Sequence, residues 1–136
     1  MKRINDKIEE IGEFLEHLNQ IAPASFEEYK DNIEKKAACE RYAEKIIEAL
    51  TDLSFLAIKF KKLKLPQDDI DAFNILSENK IIDDNLSVKL KNAEGMRNIL
   101  AHQYGKVDDE IVFDSIKEEL EKDALDLIKS VKNILR

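Results

Sequence analysis

An all-α fold, an antiparallel bundle of four long helices with one additional short helix, is predicted by three features of this 136-residue chain. Apolar residues recur at alternating spacings of four and three, the period of one helix face. Only three glycines and two prolines occur, too few for the turns that a many-stranded sandwich or barrel requires. Apolar residues make up 43% and charged residues 38%, with a mean hydropathy of -0.43. That balance suits a soluble, highly charged domain rather than a disordered tail. The length corresponds to a single domain, residues 1–136.

The first element carries Ile4, Ile8, Ile11, Leu15, Leu18 and Ala22 on one face, and Pro23 stops it. Ser25-Phe26-Glu27-Glu28 fits a capping box, in which the Ser25 hydroxyl accepts from the Glu28 amide and Glu28 reaches back. From there one long helix is expected through Ile33, Ala37, Tyr42, Ile46, Leu50, Leu53, Leu56 and Phe60, ended by Pro66. A short helix follows over Asp69–Glu78, with Ile70, Phe73 and Leu76 inward. Asp83 or Asp84 caps the next, from about Asn85 to His102, which fades before Gly105 as a left-handed C-cap. Asp108 or Asp109 starts the last, which buries Phe113, Ile116, Leu120, Leu127, Val131 and Ile134.

The net charge of -7 taken alone argues against a nucleic-acid partner. It conceals two basic islands, each +3, over residues 51–66 and 89–106. The lysines of Lys59–Lys64 fall at a helix C-terminus, where the helix dipole favours cations, so a solvated helix end is the simpler reading and a further role stays open. One cysteine, Cys39, reads as small core and forms no internal disulfide, and no Cys/His cluster offers a zinc site. No apolar run approaches the ~18–20 residues of a bilayer span, and Met1–Asp6 leads straight into acidic helical sequence without a signal peptide. The expected compartment is the cytoplasm, with no membrane contact.

One stripe departs from a core pattern. Leu86, Leu90, Ala93, Arg97, Leu100 and Tyr104 share a face, and an arginine stands where an apolar residue is called for. A buried charge costs several kcal/mol unless paired, so Arg97 needs a partner: Glu94 one turn earlier, an interface, or a ligand. At ~100° per residue, His102 lies about 140° around the helix from Arg97, whereas Tyr104 lies only about 20° away. Arg97 and His102 therefore meet only if the helix unwinds before Gly105 or if two copies of the chain face each other across a two-fold axis. Simpler readings also stand: His102 complements a helix C-terminus, and Tyr104 is an amphipathic edge of the core. His17 is expected to be a solvated or half-buried filler, and Glu40, Arg41 and Lys45 are polar residues without an assigned place.

Arg97-Asn98-Ile99-Leu100-Ala101-His102-Gln103-Tyr104 resembles the Arg-x4-His-x-Tyr signature of HEPN-domain proteins, specifically HepT toxins of HepT–MNT toxin–antitoxin pairs. The flanks are similar too: Glu40-Arg41-Tyr42, Phe73-x2-Leu76 before Ile81-Ile82, then Leu90, Met96 and Val112. The resemblance implies a HEPN-like homodimer in which two copies of the motif form a composite, metal-independent endoribonuclease site without a cofactor. It implies Arg97 and His102 as catalytic residues and RNA as substrate, while Asn98 reads either as support that orients His102 or the backbone or as exposed helix surface. It also implies an MNT-type minimal nucleotidyltransferase partner that adenylylates Tyr104. The residue types suit such chemistry, since histidine titrates in the range of a general acid or base and arginine binds phosphate oxygens in a bidentate fashion. Two other classes stay open: a non-catalytic nucleotide-binding or substrate-recruiting subunit of a nucleotidyltransferase, and a helical dimerisation module without a ligand.

Overall fold

The computed structural model describes residues 1–102 and 107–136. Helix α1 spans Lys2–Ile21, α2 Phe26–Asp31, α3 Ile33–Phe60, α4 Asp69–Glu78, α5 Asp84–His102, α6 Asp109–Asp114 and α7 Leu120–Ile134. A π-helical turn, Ser115–Glu119, joins α6 to α7. No strand occurs among the described residues.

Cross-helix contacts give the topology. Residues Lys7 and His17 of α1 meet Asp52 and Tyr42 of α3, so rising numbers on one helix face falling numbers on the other. Thr51 of α3 meets Glu94 of α5, Lys89 of α5 meets Asp123 of α7, and Asn19 of α1 meets Glu121 just inside α7. The four long elements close into an antiparallel ring around Ile11, Leu15, Ile46, Leu50, Leu53, Leu90, Leu120 and Leu127, all buried. The short α4 packs Phe73 and Leu76 into the same core.

Capping follows the sequence at most ends. Ser25 Oγ accepts from the Glu28 amide at 3.2 Å, Asp83 Oδ1 from Leu86 at 2.7 Å, and Asp108 Oδ1 from Glu110 and Ile111 at 3.1 and 3.2 Å. Glu28 does not complete the expected box, because its carboxylate pairs with Lys35 at 3.0 Å. Asp68 and Asp71 form a reciprocal pair at α4: Asp68 accepts from the Asp71 amide at 2.8 Å, and Asp71 from the Gln67 amide at 2.9 Å.

Four local expectations are corrected. The single long helix after Ser25 is two, because Asn32 leaves helical geometry and its side chain accepts from the Lys35 amide at 3.0 Å, starting α3 afresh. The break lets Tyr29 bury its ring against Phe113, centroids 5.1 Å apart, while Ile33 and Ala37 end up exposed. Helix α3 ends at Phe60, before Pro66: Lys62 takes a left-handed φ of 56°, its amide bonds Lys59 and the Leu63 amide bonds Ile58, a Schellman closure. Ile70 is 38% exposed, because α4 turns Ala72, Phe73, Ile75 and Leu76 inward. The last helix is not regular throughout, for the π turn inserts before Leu120.

Candidate functional site

Helix α5 remains helical through His102, so it does not unwind between Arg97 and His102. With about 140° between them on a regular helix, one chain does not present both side chains on one face. His102 is exposed at the end of α5. Tyr104, with Gln103, Gly105 and Lys106, lies outside the described residues, as do the expected C-cap and the modification position.

Within the chain, Arg97 takes Glu94 as its partner. Its Nε and Nη2 donate to Glu94 Oε1 at 3.1 and 2.9 Å, and Nη2 also donates to Asn98 Oδ1 at 3.2 Å. Asp69, at the start of α4, adds a carboxylate oxygen 3.9 Å from Nη2. The Arg97 side chain is 21% exposed and that of Glu94 only 2%, so this pair is unlike the weak ion pairs of exposed helix surfaces. No hydrogen bond among the described residues engages Arg97 Nη1.

Glu94 anchors the arrangement. Thr51 Oγ1 lies 3.3 Å from Glu94 Oε2 and 3.1 Å from the Ile47 carbonyl, either of which can accept its hydroxyl proton. Burial pushes the Glu94 carboxyl up from the ordinary range, against the downward pull of the Arg97 hydrogen bonds and charge. The same hydrogen bonds push Arg97 up, so the guanidinium stays charged. Asn98 thus accepts from Arg97 through its amide oxygen. The signal for Glu94 and Thr51 is faint: a threonine next to the stripe residue Leu50, and an arginine one turn after Glu94 on the stripe of the other helix.

The remaining polar candidates are engaged elsewhere. Arg41 pairs with Glu44 at 3.3 Å, and Lys45 lies 5.6 Å from the ring centroids of both Phe14 and Tyr42. Burial pushes the Glu40 carboxyl up. His17 is exposed, its Nδ1 3.4 Å from the Tyr42 hydroxyl. Cys39 is fully buried, and burial pushes its thiol up. Among the described residues no group of three His, Cys, Asp or Glu side chains is placed to hold a metal, and no helix is long and apolar enough to cross a membrane.

Comparison with known proteins places this geometry in context. A family model described as HepT-like, ribonuclease HepT-like, matches residues 4–133. The tRNA nuclease HepT of Aphanizomenon flos-aquae is 27% identical over 119 residues, covering 88% of this chain and 81% of that protein. The mRNA nuclease HepT of Shewanella oneidensis is 33% identical over 85 residues, 61% of this chain and 64% of that protein. Among solved structures, the tri-AMPylated HEPN toxin of Shewanella oneidensis in complex with MNT antitoxin superposes with a TM-score of 0.89. It is 26% identical, and the match covers 96% of each chain.

Proposed function

We propose, from the premise that this chain belongs to the HepT-like ribonuclease family, that it is the endoribonuclease toxin of a toxin–antitoxin pair, with Arg97 and His102 as its catalytic residues. The observation that carries this reading is the guanidinium of Arg97, held in place by a buried carboxylate on the helix that ends at His102. Two copies of the chain meet with their α5 helices facing, so that the separation of Arg97 and His102 on one helix is bridged across the two-fold axis. A His102 imidazole takes the proton of a ribose 2′-hydroxyl while the 2′-oxygen attacks phosphorus. The bond from phosphorus to the 5′-oxygen breaks, and the partner's His102, as imidazolium, protonates that leaving oxygen. Arg97 donates to the non-bridging oxygens as negative charge builds there. The products are a 2′,3′-cyclic phosphate and a 5′-hydroxyl. In this scheme the base, the acid and the positive charge all come from side chains, so the reaction proceeds without an added metal.

The control element is Tyr104, two residues beyond His102. An MNT-type nucleotidyltransferase, the kind of antitoxin found with the Shewanella relative, adenylylates its hydroxyl. The added phosphodiester brings negative charge next to the place of the RNA backbone and repels it. The test is incubation of the purified chain with total RNA in EDTA, followed by end-group analysis. The parent is expected to leave cyclic phosphate ends, and His102→Ala to lose ~10²–10⁴ in rate while keeping its circular dichroism. Equal cleavage by both proteins, or a monomer by light scattering at micromolar concentration, refutes the composite site.

A further inference from the structure

The lysines of the first basic island take no part in the chemistry of α5, yet they converge with cations from another helix. Lys59 and Lys62, at the end of α3, line a groove of about 950 Å³ whose other wall carries Arg3 and Lys7 from the start of α1. Phe55 and Leu56 supply apolar surface between the walls, and among the described residues Asp52 is the one acid in the lining, 3.5 Å from Lys7, which Glu10 also reaches at 3.4 Å. The lining is therefore net +3 in a chain of net -7.

A helix dipole explains cations at the C-terminal end of α3 but not those opposite. Arg3 falls in the first turn of α1, which holds no acidic residue, and a cation at a helix N-terminus is disfavoured. Lys7 is offset by Asp52 at 3.5 Å and Glu10 at 3.4 Å, but Arg3, Lys59 and Lys62 form no ion pair among the described residues, and setting these like charges around one groove adds repulsion. An anionic occupant removes both costs.

The surroundings of Arg97 show why such a groove is needed. Arg97 is already paired, with Glu94 2.9 Å and Asp69 3.9 Å from its Nη2, which weakens its pull on a distant polyanion. The groove lies next to it: Pro66, in the lining, is three residues from Asp69, whose carboxylate is 3.9 Å from Arg97. Three extended residues span at most about 11 Å.

We propose that this groove binds the backbone of single-stranded RNA and holds the strand beside Arg97, an assignment that rests on the ribonuclease reading above. The four cations take phosphates, and the apolar surface takes bases splayed from the strand, the combination by which single strands are held without base pairing. Phe60, 39% exposed and one turn beyond Leu56, offers a ring at the rim.

The test measures binding apart from cleavage. In a His102→Ala background, fluorescence anisotropy of a labelled single-stranded RNA is followed over a series of KCl concentrations. Lys59→Gln/Lys62→Gln should bind about tenfold more weakly and flatten the salt slope by about 1.4, at ~0.7 per lost phosphate contact. Arg3→Gln, from the opposite wall, should flatten it by about 0.7 and gives the answer even if the double variant folds poorly. Lys122→Gln/Lys129→Gln on α7, outside the groove, is the charge-matched control and should leave the slope as it is. Unchanged slopes in both groove variants overturn the assignment, as does unchanged RNA binding with lost affinity for phosphatidylserine vesicles. Slopes that fall although the unsubstituted chain cleaves no RNA would remove the ribonuclease reading and keep the groove. Cleavage with unchanged slopes would do the reverse.

Discussion

Arg97→Ala is expected to unfold the protein more readily as well as to inactivate it, because it strands Glu94. The carboxylate is 98% buried and accepts two hydrogen bonds from the guanidinium, at 3.1 and 2.9 Å. Removing one partner of a buried ion pair costs ~3–5 kcal/mol, since the other charge stays desolvated. Here the cost should fall near the lower end, about 3 kcal/mol, because Arg97 is one-fifth exposed and Thr51 still faces the carboxylate. With a urea m-value of roughly 2 kcal/mol/M, the unfolding midpoint should drop by about 1.5 M. Glu94→Gln in the same chain removes the stranded charge, so Glu94→Gln/Arg97→Ala should recover at least about 1 kcal/mol relative to Arg97→Ala. The pH dependence has a definite sign. Glu94 is already raised in the folded protein, and losing its cation raises it further. A carboxyl with a raised folded pKa contributes stability that is full below its unfolded value near 4.3 and is lost as pH rises through the folded value. The deficit of Arg97→Ala should therefore shrink between pH 7.5 and pH 5 and return in the alkaline direction. A midpoint within about 0.3 M of the parent, or a double variant no more stable than Arg97→Ala, would refute the anchoring role of Glu94.

Asp123 is buried with Lys89 no closer than 4.0 Å and an Oδ1 that accepts no hydrogen bond among the described residues, and burial pushes its pKa up. Asp123→Asn should accordingly raise the melting temperature at pH 7.5 by ~3 °C, for a gain of about 1 kcal/mol. The gain should shrink as pH falls through the raised pKa of Asp123 and be gone below the unfolded value of about 3.9; scanning calorimetry at several pH values reads it. Asn32→Ala removes the 3.0 Å cap on the Lys35 amide and should cost ~1 kcal/mol by urea denaturation, whereas Asn32→Asp should cost little. Tyr104→Phe should keep RNA cleavage but gain no adenylyl mass from an MNT-type partner with ATP and Mg²⁺; adenylyl mass on the Phe form, with silencing, would place the modified residue elsewhere.

Much of the architecture was legible because it is written in near-neighbour interactions. The four-three spacing of Ile4 to Leu18 sets the buried face of α1, and Ser25, Asp83 and Asp108 hold amides two or three residues away. Pro23 forces the preceding Ala22 into extended backbone, so α1 stops there. The Arg97–Tyr104 signature likewise needs only eight consecutive residues, and the family it pointed to is the one whose model matches the chain.

Other features depend on elements far apart in the chain, and only the tertiary structure decided them. Periodicity alone continued one helix through Asn32, but the packing of Tyr29 on Phe113, 84 residues later, favours the break. Ile33 and Ile70 satisfy a helical stripe and still face outward, because the neighbouring helices cover a different face. Glu94 reads locally as the solvated half of a helix pair, yet it becomes the most buried acid on α5 once Thr51, 43 positions earlier, packs across from it. The convergence of Arg3 and Lys7 with Lys59 and Lys62 is of the same kind. Local sequence determines which backbone groups are capped and which residues share a face, whereas burial and the pairing of charges depend on which helix arrives opposite, and that is a property of the closed bundle.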